Sequence, residues 1–286
     1  MLISVGDGLN PAPGPGDAVG RFTLEERLGE GGVGVVYRAS GGDETVALKL
    51  LKAELSSDPR FVRRFEREAR IARSVEHRNL VPVVDHGEAG GVHFLAARFY
   101  PHGSLDDRLR ADGPLPVDRI LRLAAGVGDA LDTLHRMGIV HRDVKPANVM
   151  LEATGDGSLT DFGLAKGAAY TRLTQVGHVL GSIEFMAPEL IGGGEATPAS
   201  DVYAFGCLLH ACVAGTPPFV RSTFLQTGFA HLEDDPPDPT AGRTDVPAAF
   251  GSAIRLALDK EPDRRPATAT TVARLLAAGA RTGAFR

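Results

Sequence analysis

Apolar positions along this chain change their period near residue 100. From 22 to 50 they fall in three short β-prone runs (22–28, 33–39 and 44–50) punctuated by glycines, which predicts a small antiparallel meander. A helix is expected next. Asp58 is suited to cap it, Pro59 to its first turn, and Phe61, Phe65, Ala69, Ala72 and Val75 recur on one face. Two further strand-like runs, 80–85 and 92–98, complete this part. Past Pro101, His102 and Gly103 the spacing turns helical. Ser104 reads as a cap before 105–109, and 117–137 carries Ile120, Leu121, Leu123, Ala124, Val127, Leu131 and Leu134 as an amphipathic series. Segments 199–213, 247–258 and 267–278 are expected helices, with a Pro- and Asp-rich insert at 234–239 between the first two. The pattern implies an α+β chain of two lobes. A flexible Gly- and Pro-rich leader covers 1–20, a small β-rich lobe with one key helix covers 21–97, and a larger, mainly helical lobe covers 98–286.

Composition narrows the function classes. A chain of 286 residues, 43% hydrophobic, can bury a sizeable core in one or two domains. A net charge of −5 argues against a nucleic-acid partner or a dominant electrostatic hold on a membrane. The basic stretch 60–78 also carries Glu66, Glu68 and Glu76, so it reads as a solvated helix face. Cys207 and Cys212 lie five residues apart in an expected helix, about 140° apart around its axis. They read as buried small side chains and not as a disulfide or metal pair. No apolar stretch reaches the roughly 18 residues of a membrane span, and the N-terminus lacks the plan of a signal peptide. A soluble, cytoplasmic protein is the expectation.

Against this background a few polar residues stand out. His141-Arg142-Asp143-Val144-Lys145-Pro146-Ala147-Asn148 supplies an acid that can accept a hydroxyl proton and an amide that can hold a divalent metal. Asp161-Phe162-Gly163 adds a carboxylate for the same metal. Upstream, Gly29, Gly31 and Gly34 form Gly-x-Gly-x-x-Gly, followed by Val35, Val36 and Tyr37 and not by a helix. A strand-turn-strand cover over phosphates fits that sequence, although the glycines alone also suit a plain hairpin turn. Lys49 sits inside the apolar run Val46-Ala47-Leu48, and a buried ammonium needs an anion. Glu68 shares the helix face of Phe61, Phe65 and Ala72, which makes it the candidate partner, with Glu66 as its rival.

In this order and spacing the motifs resemble those of the protein kinases, and the likeness runs from 22 to 278. Lys145, two residues after Asp143, matches the serine/threonine branch. Leu173-Thr174-Gln175, the phrase 181–189 and Leu258-Asp259-Lys260-Glu261-Pro262 are similar to the eukaryotic-like (Hanks-type) serine/threonine kinases of bacteria. The resemblance implies a bilobal kinase fold and transfer of the ATP γ-phosphoryl group to protein Ser or Thr hydroxyls. It implies Asp143 and Lys145 as catalytic residues, and Asn148 and Asp161 as ligands of Mg²⁺, for which Mn²⁺ can substitute. ATP would be held by Leu28, Gly29, Gly31, Gly34, Val36, Ala47, Lys49, Glu68 and Met150. Glu189 with Arg265, and Asp201, match structural supports of the family. Segment 161–189 resembles an activation segment, in which Thr174, or Thr171 as second choice, would be phosphorylated and clamped by Arg142, with Lys166 as helper. Partners would be protein substrates and a second kinase copy for autophosphorylation.

The chain departs from the family at the hinge, where Ala97 and Arg98 replace the usual large residue and acid. A small Ala97 is expected to leave room behind the adenine. Ser182 replaces a threonine but keeps its hydroxyl, and Val176 replaces a second loop threonine. Two rival readings are a catalytically dead kinase-shaped scaffold and a small-molecule phosphotransferase. Retention of Lys49, Asp143, Asn148 and Asp161 argues against the first, and Lys145 with Ala187-Pro188-Glu189 against the second. The chain reads either as a soluble kinase or as the catalytic part of a longer one.

Overall fold

The computed structural model describes residues 12–161 and 183–283. Two compact units divide the chain, one formed by Met1–Arg73 with Val83–Phe99 and the other by Ser74–Pro82 with Tyr100–Arg286. The sequence reading put a single boundary at 97/98. In the structure Ser74–Pro82 goes with the second unit, because Asn79 donates through Nδ2 to the Gly157 carbonyl at 2.9 Å and Val81 N–H to the Leu159 carbonyl at 2.9 Å.

The first unit is a six-stranded antiparallel sheet. Its strands are β1 (Ala18–Val19), β2 (Phe22–Glu30), β3 (Gly34–Gly41), β4 (Glu44–Leu51), β5 (Val83–Ala89) and β6 (Val92–Arg98), in the order β1-β2-β3-β4-β6-β5. Alternation along β4 buries Val46, Leu48 and Leu50 with Phe22, Leu24, Tyr37, Phe94 and Ala96 in one core. That leaves Ala47 and Lys49 on the other face. A short helix α1 (Ala53–Ser56) precedes α2 (Pro59–Ser74), whose Phe65, Ala69 and Ala72 are buried. Order begins before the expected end of the leader: β1 pairs with β2, Gly16 N–H donates to the Leu24 carbonyl, and the Tyr37 hydroxyl donates to the Pro13 carbonyl at 3.0 Å. Backbone pairing to β2 overrides the Gly- and Pro-rich composition of 13–20. The run expected as a strand at 80–85 starts at Val83, since Leu80 is bridged to Leu159 and Pro82 has no N–H for a ladder.

The second unit holds α3 (Leu105–Asp112), α4 (Val117–Arg136), the hairpin β7 (Val149–Leu151) with β8 (Gly157–Leu159), α5 (Pro188–Ile191), α6 (Pro198–Ala214), α7 (Phe224–Glu233), α8 (Ala248–Ala257) and α9 (Ala269–Gly283). Ser104 and Asp107 form a reciprocal capping box at the start of α3. Helix α6 is buried on nearly every side, as its apolar composition requires. Both cysteines lie inside it, unpaired with each other; burial pushes the Cys212 thiol up to about 12 and Cys207 higher still. Helix α7 was not expected. Its buried positions are Thr227, Gly228, Ala230 and His231, whereas Leu225 and Phe229 face solvent, so no apolar stripe announces it. No helix among the described residues is long and apolar enough to cross a membrane.

Candidate active site

In the second unit the segment 141–148 is folded onto itself around Asp143. Pro146–Asn148 make one 3-10 turn, with Pro146 at its first position, and this brings Asn148 back toward Asp143. The Asn148 amide donates to Asp143 Oδ2 at 2.7 Å and to the Asp143 carbonyl at 2.8 Å. Lys145 Nζ lies 3.1 Å from the same Oδ2. A cation and an amide N–H on one carboxylate oxygen favour the ionised acid, which is the form a base requires. The Asn148 Nδ2 group is committed to Asp143, so its Oδ1 is the atom suited to a hard cation. The Asn148 backbone carbonyl accepts from Thr160 N–H at 2.9 Å, which sets Asp161 one residue from that contact. Met150 follows on β7, bridged to Ser104.

The backbone of this loop is held by buried groups. Arg142 and Asp161 are the only non-glycine residues with positive φ among the described ones, at 69° and 61°. Asp201, buried in α6, accepts from the N–H of His141 at 2.7 Å and from that of Arg142 at 2.9 Å, while His135 Nε2 lies 2.8 Å from its Oδ2. The buried His141 ring links two segments of the site: its Nδ1 accepts from Asp143 N–H at 3.2 Å and its Nε2 donates to the Thr160 carbonyl at 3.0 Å. That arrangement requires the neutral ring with its proton on Nε2. Burial, the largest influence, pulls the His141 pKa down and agrees with it; Asp201 and Asp143 act in the opposite sense. The Arg142 guanidinium is exposed and enters no ion pair among the described residues. Arg265, fully buried, grips Glu189 through two hydrogen bonds of 2.8 and 2.7 Å and stacks over Tyr203.

In the first unit, Gly29, Gly31, Gly34, Val36, Ala47 and Lys49 lie on or between adjacent strands. Gly29 pairs with Val36, and Gly31 N–H donates to the Gly34 carbonyl at 2.9 Å. A Cβ at Gly34 would run into the Leu50 carbonyl, whereas Gly29 and Gly31 face open space on the Cβ side. The strand crossing therefore needs a glycine at Gly34, and the other two leave the backbone open to approach. Leu28 is exposed and Val36 half-buried. Lys49 stands opposite Val36 on β3 and Leu95 on β6, and Ala47 opposite Ala97. Lys49 and Glu68 are both half-buried. The rival acid Glu66 is turned toward His93, with 3.8 Å between its Oε1 and His93 Nδ1.

The structure thus gathers Asp143, Lys145 and Asn148 directly, with Asp161 adjoining, and sets the glycines and Lys49 on neighbouring strands. Phe162, Gly163, Lys166, Thr171, Thr174, Val176 and Ser182 lie outside the described residues. Sequence reasoning assigned nothing to His135, Thr160 or Asn79. The His in His-Arg-Asp could have signalled the support role of His141; no local pattern marks the other three.

Residues 22–274 match the family model described as the protein kinase domain. The chain is 38% identical over 260 residues to serine/threonine-protein kinase PknH of Mycobacterium bovis, covering 90% of this chain and 44% of that protein. It is 37% identical to PknE of the same organism, covering 88% and 45%. The chain therefore spans less than half the length of these curated relatives. Among solved structures, the kinase domain of Mycobacterium tuberculosis PknI is similar with a TM-score of 0.75 and 29% identity, over 94% of this chain and all of that one.

Proposed function

We propose that this chain, which belongs to the protein kinase family, transfers the γ-phosphoryl group of ATP to serine and threonine hydroxyls of protein substrates. The observation that carries the reading is the convergence of Lys145 and Asn148 on Asp143 Oδ2. Asp143 orients the substrate hydroxyl and takes up its proton, and Lys145 places a positive charge beside the reacting centre. Leu28, Gly29, Gly31, Gly34, Val36, Ala47 and Met150 would border the nucleotide, with Lys49 and Glu68 orienting its phosphates. The all-oxygen donors Asn148 Oδ1 and the Asp161 carboxylate suit Mg²⁺, or Mn²⁺ in its place. The metal, when bound, neutralises charge on the phosphate oxygens. Arg142, exposed and without an ion pair among the described residues, suits the clamping of a phosphate on Thr174 or Thr171, added by a second copy of the chain.

The test compares the parent with Asp143→Asn, each incubated with ATP, Mg²⁺ and a generic basic protein. General-base assistance is worth roughly 10² to 10⁴ in rate, so the variant should lose about that much turnover while nucleotide affinity barely changes. Phosphopeptide mapping should find Thr174 or Thr171 modified in the parent alone. Transfer by the variant at the parent rate would remove Asp143 from the role of base.

A further inference from the structure

We propose that the outer face of α2 is a docking surface for an acidic segment of a partner protein. Arg60, Arg63, Arg67 and Arg70 are all exposed on this helix. Their spacing of three, four and three puts them on one stripe about 15 Å long. The sequence reading took this stretch for a solvated face with interspersed acids. The structure segregates them instead: Glu66 and Glu68 are half-buried, and Glu66 is turned toward His93.

The rest of this unit treats its cations differently. Arg21 pairs with Asp85 and Glu44, Arg38 with Glu25, Lys52 with Glu30 and Arg73 with Asp85. The four stripe arginines form no ion pair among the described residues. Arg64, at the edge of the stripe, has a buried guanidinium nitrogen that lacks a hydrogen-bond partner. Like charges three and four apart work weakly against a helix, and an anion docked along the row would relieve that repulsion. Successive guanidinium forks at this spacing can each take a carboxylate from an extended acidic strand, whose same-side residues recur every 6 to 7 Å or so.

Two other polyanions fit less well. An anionic membrane would want an apolar wedge beside the arginines, but Phe61 and Val62 are half-buried and only arginines stand out on this face. A duplex nucleic acid carries far more charge than a short acidic segment, so the repulsion from a chain of net charge −5 weighs more heavily against it at longer range.

Fluorescence anisotropy of a labelled peptide of alternating Glu and Gly tests it on the full chain. The parent should bind, with affinity falling about tenfold or more between roughly 50 and 300 mM salt. Arg60→Glu with Arg63→Glu and Arg67→Glu should abolish binding, and Lys at the same three positions should retain most of it. If the Glu variant fails to fold by circular dichroism, Gln at those positions takes its place. The proposal is overturned if the parent does not bind, if a folded Glu or Gln variant binds as the parent does, or if duplex DNA or phosphatidylserine vesicles bind more tightly than the peptide at equal salt.

Discussion

Asp201 shows how much can depend on one buried carboxylate. Arg142 in the left-handed region costs on the order of 1–3 kcal/mol, which the surroundings must offset. Two backbone N–H groups and a histidine ring converge on Asp201 to do so. Asp201→Ala would leave two buried N–H groups without their acceptor and is expected to cost about 3 kcal/mol, read from urea unfolding. Asp201→Asn keeps one oxygen and should cost less. In both variants turnover should fall together with stability, because the altered backbone is that of Arg142 next to Asp143. The role of Asp201 was legible from its motif. That of His135 was not: a polar residue near a helix end carries no sign of a partner 66 positions away.

At the scale of elements, the sequence displayed those helices whose apolar stripe faces a core and whose caps are local. Ser104 before α3 is such a case. Helix α9 is different, since its start is capped from another helix. Asp132 of α4 accepts from Ala269 N–H at 2.9 Å and from Thr270 N–H at 3.0 Å. The helices come close here, and a Cβ on Gly128 would lie 3.2 Å from the Ala269 carbonyl oxygen. Asp132→Ala should destabilise the chain by about 1–2 kcal/mol, the usual worth of a lost N-terminal cap, and Asp132→Asn should restore part of that in the same urea titration. In the sequence Asp132 is one of two polar residues between Leu131 and Leu134. A cap supplied over such a separation has no local signature, just as α7 lacks an apolar one.

For the whole molecule, buried histidines set the response to acid. His231 is pulled down to about 3, first by burial and then by Lys260; its Nδ1 is hydrogen-bonded to the Tyr203 hydroxyl at 2.9 Å. Burial also lowers His141 and His210. In the unfolded chain these rings take up protons below their ordinary 6.5, while the folded chain refuses them until lower pH. Unfolding thus becomes easier as pH falls below about 6.5, and the stability from neutral burial is fully present above it. The urea midpoint should stay level from about pH 7 to 8 and decline below about 6.5. His231→Gln should flatten part of that decline; an unchanged slope would show that His231 does not contribute.

Residue types and their spacing alone determined the two-lobe plan, most strands and helices, the family likeness and the chemistry available at Asp143, Lys145, Asn148 and Asp161. Those features are written in periodicity and in short motifs, which local backbone geometry imposes on neighbouring positions. Only the tertiary structure decided which groups meet: Asn148 with Asp143, Asp201 with the backbone of His141 and Arg142, Asp132 with α9, and the separation of the α2 acids from its arginines. Such pairings join residues that chain order does not relate, and burial and hydrogen bonding select among them only once the chain has packed.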